Sequence, residues 1–269
     1  MIIRFLKAIV ISFIHPVKCL APMTPWRRFL TSPWVFQPMS IIVQFFAMPD
    51  LRKLREERLS DTSHLTGVHD HNTGKIFQKP FSSTRRFEPL LRHLTLPIRD
   101  IGDEKLLMIG CKNVHEMLMA NVYGYRWDNI SGIDIFSAHK KIQSMNAEEM
   151  TFPDASFDCV VMSGVMGYLK SPDKVFAGVE RILKPGGLFV FDVMHRRKPA
   201  RWETPPLEPR EVLALFEPLP MNVYSCVRDS VHYANEEQPK YIIGMQKLGR
   251  GFETPDILLS ERSVERAKN

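Results

Sequence analysis

Polar side chains stand at the ends of two apolar segments, where they could contact a ligand. Residues 130–135, ISGIDI, include Asp134 near their end, and Ser163 follows the Val-rich segment 157–162. Short apolar segments between turn residues are typical of buried strands in a parallel sheet. Ligands bind at the carboxyl ends of such strands, and an acid at the end of the second strand can accept hydrogen bonds from both hydroxyls of a ribose. Asp134 is therefore a candidate residue of a nucleoside-binding site.

A strand, a helix and a second strand are expected over residues 157–192. Ser171, Pro172 and Asp173 are typical of a helix start, because they supply a cap, a proline at the first helical position and an early acid. Residues 184–187, KPGG, favour a helix end. The residues between these signals place one apolar stripe at helical spacing: Val175, Phe176, Val179, Ile182 and Leu183. With a second apolar strand over 188–192, the pattern predicts a right-handed crossover unit.

Residues 152–192, FPDASFDCVVMSGVMGYLKSPDKVFAGVERILKPGGLFVFD, resemble the second half of class I S-adenosylmethionine (SAM) methyltransferases, particularly the type 11 group. The resemblance implies an α/β fold, with a Rossmann-like doubly wound sheet of about seven strands and an antiparallel terminal strand. Residues 222–229 and 241–247 are expected to form the paired final strands. The resemblance also implies SAM as the cofactor. An ordinary nicotinamide dehydrogenase is disfavoured, because its G-x-G-x-x-G turn is absent.

Three regions are expected along the chain. They are a basic, apolar arm with a mostly helical extension over 1–82, a methyltransferase-like domain over 83–249, and a polar tail over 250–269.

The first half of the domain is expected to carry a helix over 83–94, a strand over 105–109 and a turn over 110–113. The segment LMIGCKN, residues 107–113, resembles the family's first motif, whose usual form is an apolar pair, an acid, an apolar residue and G-x-G-x-G. Asn113 and Glu116 have the spacing of a cap pair for the next helix. The resemblance implies a set of cofactor-binding residues: Gly110, Cys111, Lys112, Asp134, Ile135, Asn146, Ala147 and Ser163.

The first motif departs from the family pattern at three positions. Met108 stands where the acid is expected, and Lys112 and Val114 stand where the second and third glycines are expected. Glycine there lets the backbone approach the cofactor, so a side chain at position 112 should change or fill that space. Lys112 could grip the carboxylate of SAM, or its ammonium could lie near the sulfonium and weaken binding. Asn146 replaces the acid that in the family accepts from the adenine amino group, and its amide oxygen can still accept that hydrogen bond.

Few residues can be singled out as catalytic, because methyl transfer needs an aligned acceptor and often only a modest base. Tyr168 lies in the loop where relatives often place Glu-His, and it could donate a hydrogen bond to the acceptor or cofactor. More often such a tyrosine is a packed lid residue. His195, beyond the strand-ending Asp192, is the better general-base candidate. Together with the three basic residues that follow it, His195 could instead form a solvated loop or attract an anionic head group.

The arm has an asymmetric charge. The whole chain has 269 residues, 44% hydrophobic and 25% charged, with a net charge of +6, which are ordinary values for a folded domain with additional sequence. Residues 1–49 contain five basic residues and no acid. Their two apolar segments, with Trp26 and Trp34 between them, could lie in the head-group region of an anionic leaflet or pack against the domain. Pro16 ends the first segment below the roughly 20 residues that a spanning helix needs, and no cleavage site typical of a signal peptide follows.

The cysteines favour a reducing, cytoplasmic setting, with membrane association as an additional hypothesis. Cys19, Cys111, Cys159 and Cys226 include no C-x-x-C pair, which argues against a disulfide scaffold or a zinc ribbon. The three histidines of the turn-rich segment 63–75 lack the ordered spacing of zinc sites, so no metal is expected.

The expected function is that of a SAM-dependent methyltransferase, or a close relative, acting on a small or lipid-linked acceptor at the cytoplasmic face of a membrane. The rival hypothesis is a noncatalytic domain that keeps the fold, has lost cofactor affinity and serves as a partner or scaffold. A nucleic-acid methyltransferase is disfavoured, because no N-P-P-Y-like motif and no stripe of interleaved aromatic and basic residues is present.

Overall fold

The computed structural model describes residues 29–30, 32, 34–36, 38–39, 42, 86–94, 101–111, 114–135, 141–194, 207–229 and 239–249. Lys112, His195, the histidine-containing segment 63–75, the tail 250–269 and most of the arm lie outside the described residues.

Helices and strands alternate through the described part of the domain. The strands are β1 (Leu106–Ile109), β2 (Ile130–Asp134), β3 (Ile142–Ser144), β4 (Phe157–Met162), β5 (Leu183–Met194), β6 (Met221–Arg228) and β7 (Lys240–Lys247). The α-helices are α1 (Glu88–Leu94), α2 (Val114–Val122), α3 (Pro172–Ile182) and α4 (Pro209–Ala214). Short 3₁₀-helices cover Trp127–Asn129, Ala147–Glu149 and Met166–Tyr168.

The strands form one seven-stranded sheet in the order β3-β2-β1-β4-β5-β7-β6. β1 pairs in parallel with β2 on one side and with β4 on the other, and β5 continues the parallel part beside β4. β7 pairs antiparallel with both β5 and β6. The chain proceeds from β1 toward one edge of the sheet and from β4 toward the other, so the topological switch point lies between β1 and β4. The predicted doubly wound α/β sheet with its antiparallel terminal pair is confirmed.

Two apolar layers cover the two faces of the sheet. Leu106 and Met108 of β1 lie in one layer with α1 and α2, whereas Leu107 and Ile109 lie in the other with α3 and α4. This division arises because successive side chains of a strand point to opposite faces. The second layer contains a cluster of aromatic rings: Phe176, Phe189, Phe191 and Phe216. The predicted apolar stripe of α3 is buried throughout.

α1 is shorter than the sequence pattern predicts. It begins at Glu88 rather than at residue 83, and Arg86 and Phe87 form a turn before it. A helix that began at residue 83 would place Pro89 in its interior, where proline removes a hydrogen bond and clashes with the preceding turn. Beginning at Glu88 puts Pro89 in the first turn, where no backbone N–H is needed. Arg86 is therefore in a turn from which its side chain reaches the sheet.

Three further details differ from the sequence prediction. Ser171 precedes α3, but its side chain makes no capping hydrogen bond, and its backbone N–H instead donates to Glu148 Oε1 (2.6 Å). β5 begins at Leu183 rather than at residue 188, because Leu183 already pairs with Phe157 of β4. β3 was not predicted, since its three residues are too short to show a pattern.

Four of the described residues of the arm pack against the domain. Leu30 and Phe36 are buried in the layer that contains α1 and α2, and Val35 and Met39 pack against that layer. The backbone is helical at every described position of the arm except Ser32. Three large apolar side chains on the same segment are exposed: Phe29, Trp34 and Ile42. Within the ranges that the structure describes, no helix is both long and apolar enough to cross a membrane.

Candidate functional site

The candidate site lies at the switch point between β1 and β4. Gly110 follows β1 and Ser163 follows β4, so their carbonyl groups end two neighbouring parallel strands. Asp134 ends β2, on the other side of β1. The three predicted residues thus share the carboxyl edge of the sheet, which is where ligands bind in folds of this kind.

The guanidinium of Arg86 lies on this edge, and no pattern in the sequence predicts it. Arg86 Nη1 donates to Ser163 O (2.7 Å), and Nη2 donates to Gly110 O. Arg86 Nε donates to Glu116 Oε1 (2.7 Å), and Nη2 also donates to Glu116 Oε2 (3.0 Å). Two parallel bonds between a guanidinium and a carboxylate fix both groups in position. Arg86 therefore links the ends of β1 and β4 to α2.

Negative side chains keep Arg86 charged. The Arg86 side chain is 19% exposed and that of Glu116 is fully buried. Burial alone would lower the pKa of Arg86, but the charge and hydrogen bond of Glu116, followed by the charges of Asp134 and Asp192, outweigh burial and raise the pKa above its usual value. A permanent positive charge therefore stands at the switch point.

Glu116 uses both carboxylate oxygens to accept from Arg86. The sequence pattern assigned Glu116 to a cap pair with Asn113, which lies outside the described residues. A buried acid needs a partner, and here the partner comes from the turn before α1. Glu116 is therefore a positioning residue for Arg86.

Gly110 is required by the close approach of the loop that follows β4. Its φ of +79° is in the left-handed region, which side-chain-bearing residues rarely adopt. A Cβ atom at this position would overlap Val165 Cγ2 and lie 3.2 Å from Ser163 O. The chain's own packing thus explains the one glycine that the first motif retains.

Cys111 points its thiol into the core rather than toward the crevice. A Cβ atom added at Gly132 of β2 would lie 2.5 Å from Cys111 Sγ, so the thiol occupies the space that this glycine leaves. Burial, followed by the charges of Glu116 and Asp134, raises the pKa of the Cys111 thiol well above its usual value. The neutral thiol packs as a small apolar group, and the predicted cofactor contact of Cys111 would have to come from its backbone.

The predicted ribose contact lies at the end of β2. Asp134 is half-buried there, in register with Ser144 of β3. Ile135 follows it, and its carbonyl accepts from Ser144 Oγ (3.3 Å). This bond fixes the backbone just beyond Asp134.

The predicted adenine contact lies beyond β3. Asn146 caps the 3₁₀-helix Ala147–Glu149, and its Oδ1 accepts from the backbone N–H of Glu148 (3.1 Å). An amide oxygen has two lone pairs, so this cap leaves a second acceptor position for an amino group. Ala147 is buried at the start of the same turn.

A buried network of hydrogen bonds and an ion pair holds the end of β4 against β5 and β7. Ser163 Oγ donates to Asp192 Oδ2 (2.6 Å), and Gly164 N donates to Asp192 Oδ1 (2.7 Å). Lys240 Nζ lies 2.8 Å from Asp192 Oδ2, and the side chains of Lys240 and Asp192 are 11% and 6% exposed. The hydroxyl of Ser163 is therefore engaged inside the protein, and Asp192 joins the end of β4 to β5 and β7.

Tyr168 lies beside the site at the end of the 3₁₀-helix Met166–Tyr168. It is half-buried, and its backbone N–H donates to Val165 O (2.9 Å), in the same loop that approaches Gly110. This position is compatible with both roles considered for Tyr168, a hydrogen-bond donor and a packed lid residue. The roles of His195 and Lys112 remain predictions, because both residues lie outside the described ranges.

Four residues of the site were missed by sequence reasoning: Arg86, Glu116, Asp192 and Lys240. Glu116 carried a signal, because it is the one acid in the apolar helix VHEMLMANV. Asp192 carried a weaker signal at the end of an apolar strand. Arg86 and Lys240 carried none, since basic residues are mostly exposed. Among the residues that the structure describes, no group of three His, Cys, Asp or Glu side chains could hold a metal ion.

Comparison with known proteins finds a family match within the described part of the chain. A sequence model of the family described as "Methyltransferase domain" matches residues 107–191. The S-adenosyl-L-methionine-dependent Diels-Alderase iccD of Talaromyces variabilis is 29% identical over 154 residues, which cover 51% of this chain and 50% of that protein. The ubiquinone/menaquinone biosynthesis C-methyltransferase UbiE of Vibrio cholerae is 45% identical over 42 residues, which cover 16% of each protein. The chain thus spans no more than about half the length of these curated relatives.

Solved structures share the architecture. A protein from Galdieria sulphuraria described as a candidate sarcosine dimethylglycine methyltransferase has a TM-score of 0.50 at 13% identity, over 61% of this chain and 86% of that chain. At this identity the likeness shows the fold alone, and it agrees with the strand order described above. Residues 107–191 therefore match the methyltransferase-domain family, and the described strands have the sheet order of the class I SAM-dependent methyltransferase fold.

Proposed function

We propose that this chain is a SAM-dependent methyltransferase, or a close relative, that binds SAM along the carboxyl edge of β1, β2 and β4 and transfers the methyl group to a small or lipid-linked acceptor. The observation that carries this proposal is the position of Asp134. It ends β2 next to the switch point, inside the segment that matches the methyltransferase-domain family. A carboxylate there can accept hydrogen bonds from both ribose hydroxyls.

The neighbouring residues supply the rest of a nucleoside site. Asn146 and Ala147 lie beyond β3, one strand farther from the switch point than Asp134, which suits the adenine. Gly110 and Ser163 lie on the other side of Asp134, which suits the amino-acid tail. The sulfonium and the acceptor would then face the loop that contains Tyr168, with His195 as the candidate general base.

Support is stronger for SAM binding than for methyl transfer. The Talaromyces relative is named as a SAM-dependent Diels-Alderase, so its resemblance to this chain points to the cofactor without fixing the reaction. The first test therefore measures binding, and an acceptor screen follows it.

Asp134→Asn is expected to weaken the binding of SAM and S-adenosylhomocysteine by about 10- to 100-fold, because hydrogen bonds to a charged acceptor contribute about 1.5–3 kcal/mol. Isothermal titration calorimetry with both nucleosides measures this loss. The matched control is Asp128→Asn, which makes the same change of charge at an exposed residue before the amino end of β2. Unchanged affinity in Asp134→Asn, or an equal loss in Asp128→Asn, would remove Asp134 from the site.

The alternative function is that of a noncatalytic methyltransferase-fold protein that acts as a binding partner or scaffold. Two features favour it. Lys112 replaces a motif glycine, and Arg86 occupies the carbonyl groups of Gly110 and Ser163 at the switch point. The same titrations decide between the two functions, since folded protein that binds neither SAM nor S-adenosylhomocysteine supports the noncatalytic one.

A membrane surface is proposed as the place where the acceptor is met. Trp34 is 90% exposed, and Phe29 and Ile42 on the same segment are also exposed. Leu30 and Phe36 are buried in the core at the same time, so they hold the exposed apolar side chains at the surface of the domain. Amphipathic segments with tryptophan and nearby basic residues favour the head-group region of anionic bilayers.

Trp34→Ser is expected to weaken binding to vesicles that contain anionic lipid by about tenfold, because burying a large apolar side chain contributes about 1.5–3 kcal/mol. Vesicle co-sedimentation measures the change. Deleting residues 1–49 would be a poor test, because the deletion also removes Leu30 and Phe36 from the core. Val227→Ser removes an exposed apolar side chain from β6 and is the control. Equal binding by both variants would contradict a membrane role for Trp34.

A further inference from the structure

We propose that Arg86 is an internal cation that fills the place at the switch point where a ligand ammonium would otherwise bind, and that it thereby removes the preference of the chain for nucleosides that carry an amino-acid tail. The inference rests on the proposed binding of a SAM-type nucleoside and adds a specificity-determining residue to that site.

Two backbone acceptors mark the place that a cation could occupy. Gly110 O and Ser163 O end the two strands that flank the switch point, and backbone carbonyls in such a crevice attract donors and cations. Arg86 donates to both of them. The guanidinium therefore already takes the hydrogen bonds that these groups could offer to a cationic part of a ligand.

Arg86 is held firmly in this place. A guanidinium has five N–H donors, and the bonds to Ser163 O, Gly110 O and the two Glu116 oxygens use four of them. Glu116 is fully buried, so moving Arg86 away would leave a buried carboxylate without the guanidinium that neutralises it. Gly164 leaves room for the guanidinium, since a Cβ atom at position 164 would lie 3.0 Å from Arg86 Nη1. Arg86 is thus a fixed part of the crevice.

The amino-acid tail of a nucleoside bound at Asp134 would reach Arg86. Neighbouring strands lie about 5 Å apart, so a nucleoside whose ribose is held at Asp134 can direct its 5′ substituent across β1 to the switch point. The amino-acid tail of SAM and S-adenosylhomocysteine carries an ammonium group. At the switch point this ammonium meets a guanidinium of the same charge instead of vacant carbonyl groups, and like charges in a partly desolvated crevice repel. The tail should therefore add little affinity to that of the nucleoside.

The test compares S-adenosylhomocysteine with 5′-methylthioadenosine, which has the same nucleoside and thioether but no amino-acid tail. We expect the wild-type chain to bind the two with similar affinity. Arg86→Ala vacates two carbonyl groups and leaves Glu116 to attract the ammonium, so the affinity for S-adenosylhomocysteine should rise by at least about tenfold. The affinity for 5′-methylthioadenosine should not change. Calorimetry measures all four constants.

Two further variants keep the test interpretable if Arg86→Ala is unstable. Arg86→Ala combined with Glu116→Gln vacates the carbonyl groups without leaving a buried charge, and a smaller rise is expected. Arg92→Ala is the control, because it also removes an arginine that pairs with a buried carboxylate, Glu88, but does so away from the crevice. Its affinities for both nucleosides should equal those of the wild-type chain.

Three results would overturn the inference. If Arg86→Ala binds S-adenosylhomocysteine more weakly while 5′-methylthioadenosine is unaffected, Arg86 grips the tail carboxylate instead of replacing the ammonium. If both nucleosides bind and their affinity ratio is the same in all variants, Arg86 does not select ligands, and the proposed function still stands. If folded wild-type and variant proteins bind neither nucleoside, the inference and the proposed function fail together.

Discussion

Gly110→Ala is expected to lower the free energy of unfolding by about 2–5 kcal/mol. One part is the left-handed backbone at φ +79°, which costs a residue with a Cβ atom about 1–2 kcal/mol. The other part is steric, because the new Cβ atom would overlap Val165 Cγ2 and lie 3.2 Å from Ser163 O, and forcing extra atoms into a packed region costs about 1–3 kcal/mol. Urea denaturation followed by circular dichroism measures the loss.

Gly186 offers a matched control for this substitution. It has the same φ of +79°, but a Cβ atom there would meet no heavy atom within 4 Å. Gly186→Ala should therefore lose only the backbone part, about 1–2 kcal/mol. Adding Val165→Ala to Gly110→Ala should recover part of the difference, because it removes the overlapping methyl group. Equal losses at the two glycines would show that contact with the β4 loop is not the reason for glycine at position 110.

The one glycine that the first motif retains has a structural role. Gly110 is needed where the loop after β4 crosses the end of β1, whatever ligand occupies the crevice. Its presence is thus no independent support for a bound cofactor. The case for SAM depends on Asp134, which is half-buried at the strand edge and could accept from a ribose.

Much of the fold follows from apolar patterns that allow one interpretation. The segment 157–162 is apolar except for Asp158 and includes two valines, and it forms β4 at the predicted residues. The stripe after Ser171 has a period that only a helix satisfies, and α3 buries it. β3 was missed because its three residues include only one that is buried. The predicted start of α1 was wrong because proline is tolerated only in the first turn of a helix, and the apolar spacing does not show this constraint from Pro89.

The residues of the candidate site were predictable only in part. The shared position of Gly110, Asp134 and Ser163 at one sheet edge was predictable, because each directly follows or ends a recognisable strand and parallel strands share one carboxyl edge. Arg86 could not be found in this way. It lies 77 positions from Ser163 and 30 from Glu116 in the chain, and no local pattern encodes contacts at such separations. A residue that places a positive charge in the crevice is therefore visible only once the chain is folded.

Asp192→Ala is expected to lower the free energy of unfolding by about 3–5 kcal/mol. Asp192 accepts from Ser163 Oγ and Gly164 N and pairs with Lys240 Nζ at 2.8 Å. Removing one partner of a buried ion pair leaves the other charge buried without compensation, which has a cost of this size. Chemical denaturation of the purified variant measures the loss.

The control and a second variant separate burial from charge. Asp103→Ala breaks an ion pair with Arg126 at the surface, where the Asp103 side chain is 87% exposed. It should lower the free energy of unfolding by no more than about 1 kcal/mol. Asp192→Asn combined with Lys240→Met leaves no buried charge and keeps an acceptor for Gly164 N, so it should be more stable than Asp192→Ala. If Asp192→Ala costs no more than Asp103→Ala, the pair with Lys240 does not stabilise the end of β4. In that case the position of the Ser163 carbonyl, on which Arg86 depends, would have to be fixed by the pairing of β4 with β1 and β5 alone.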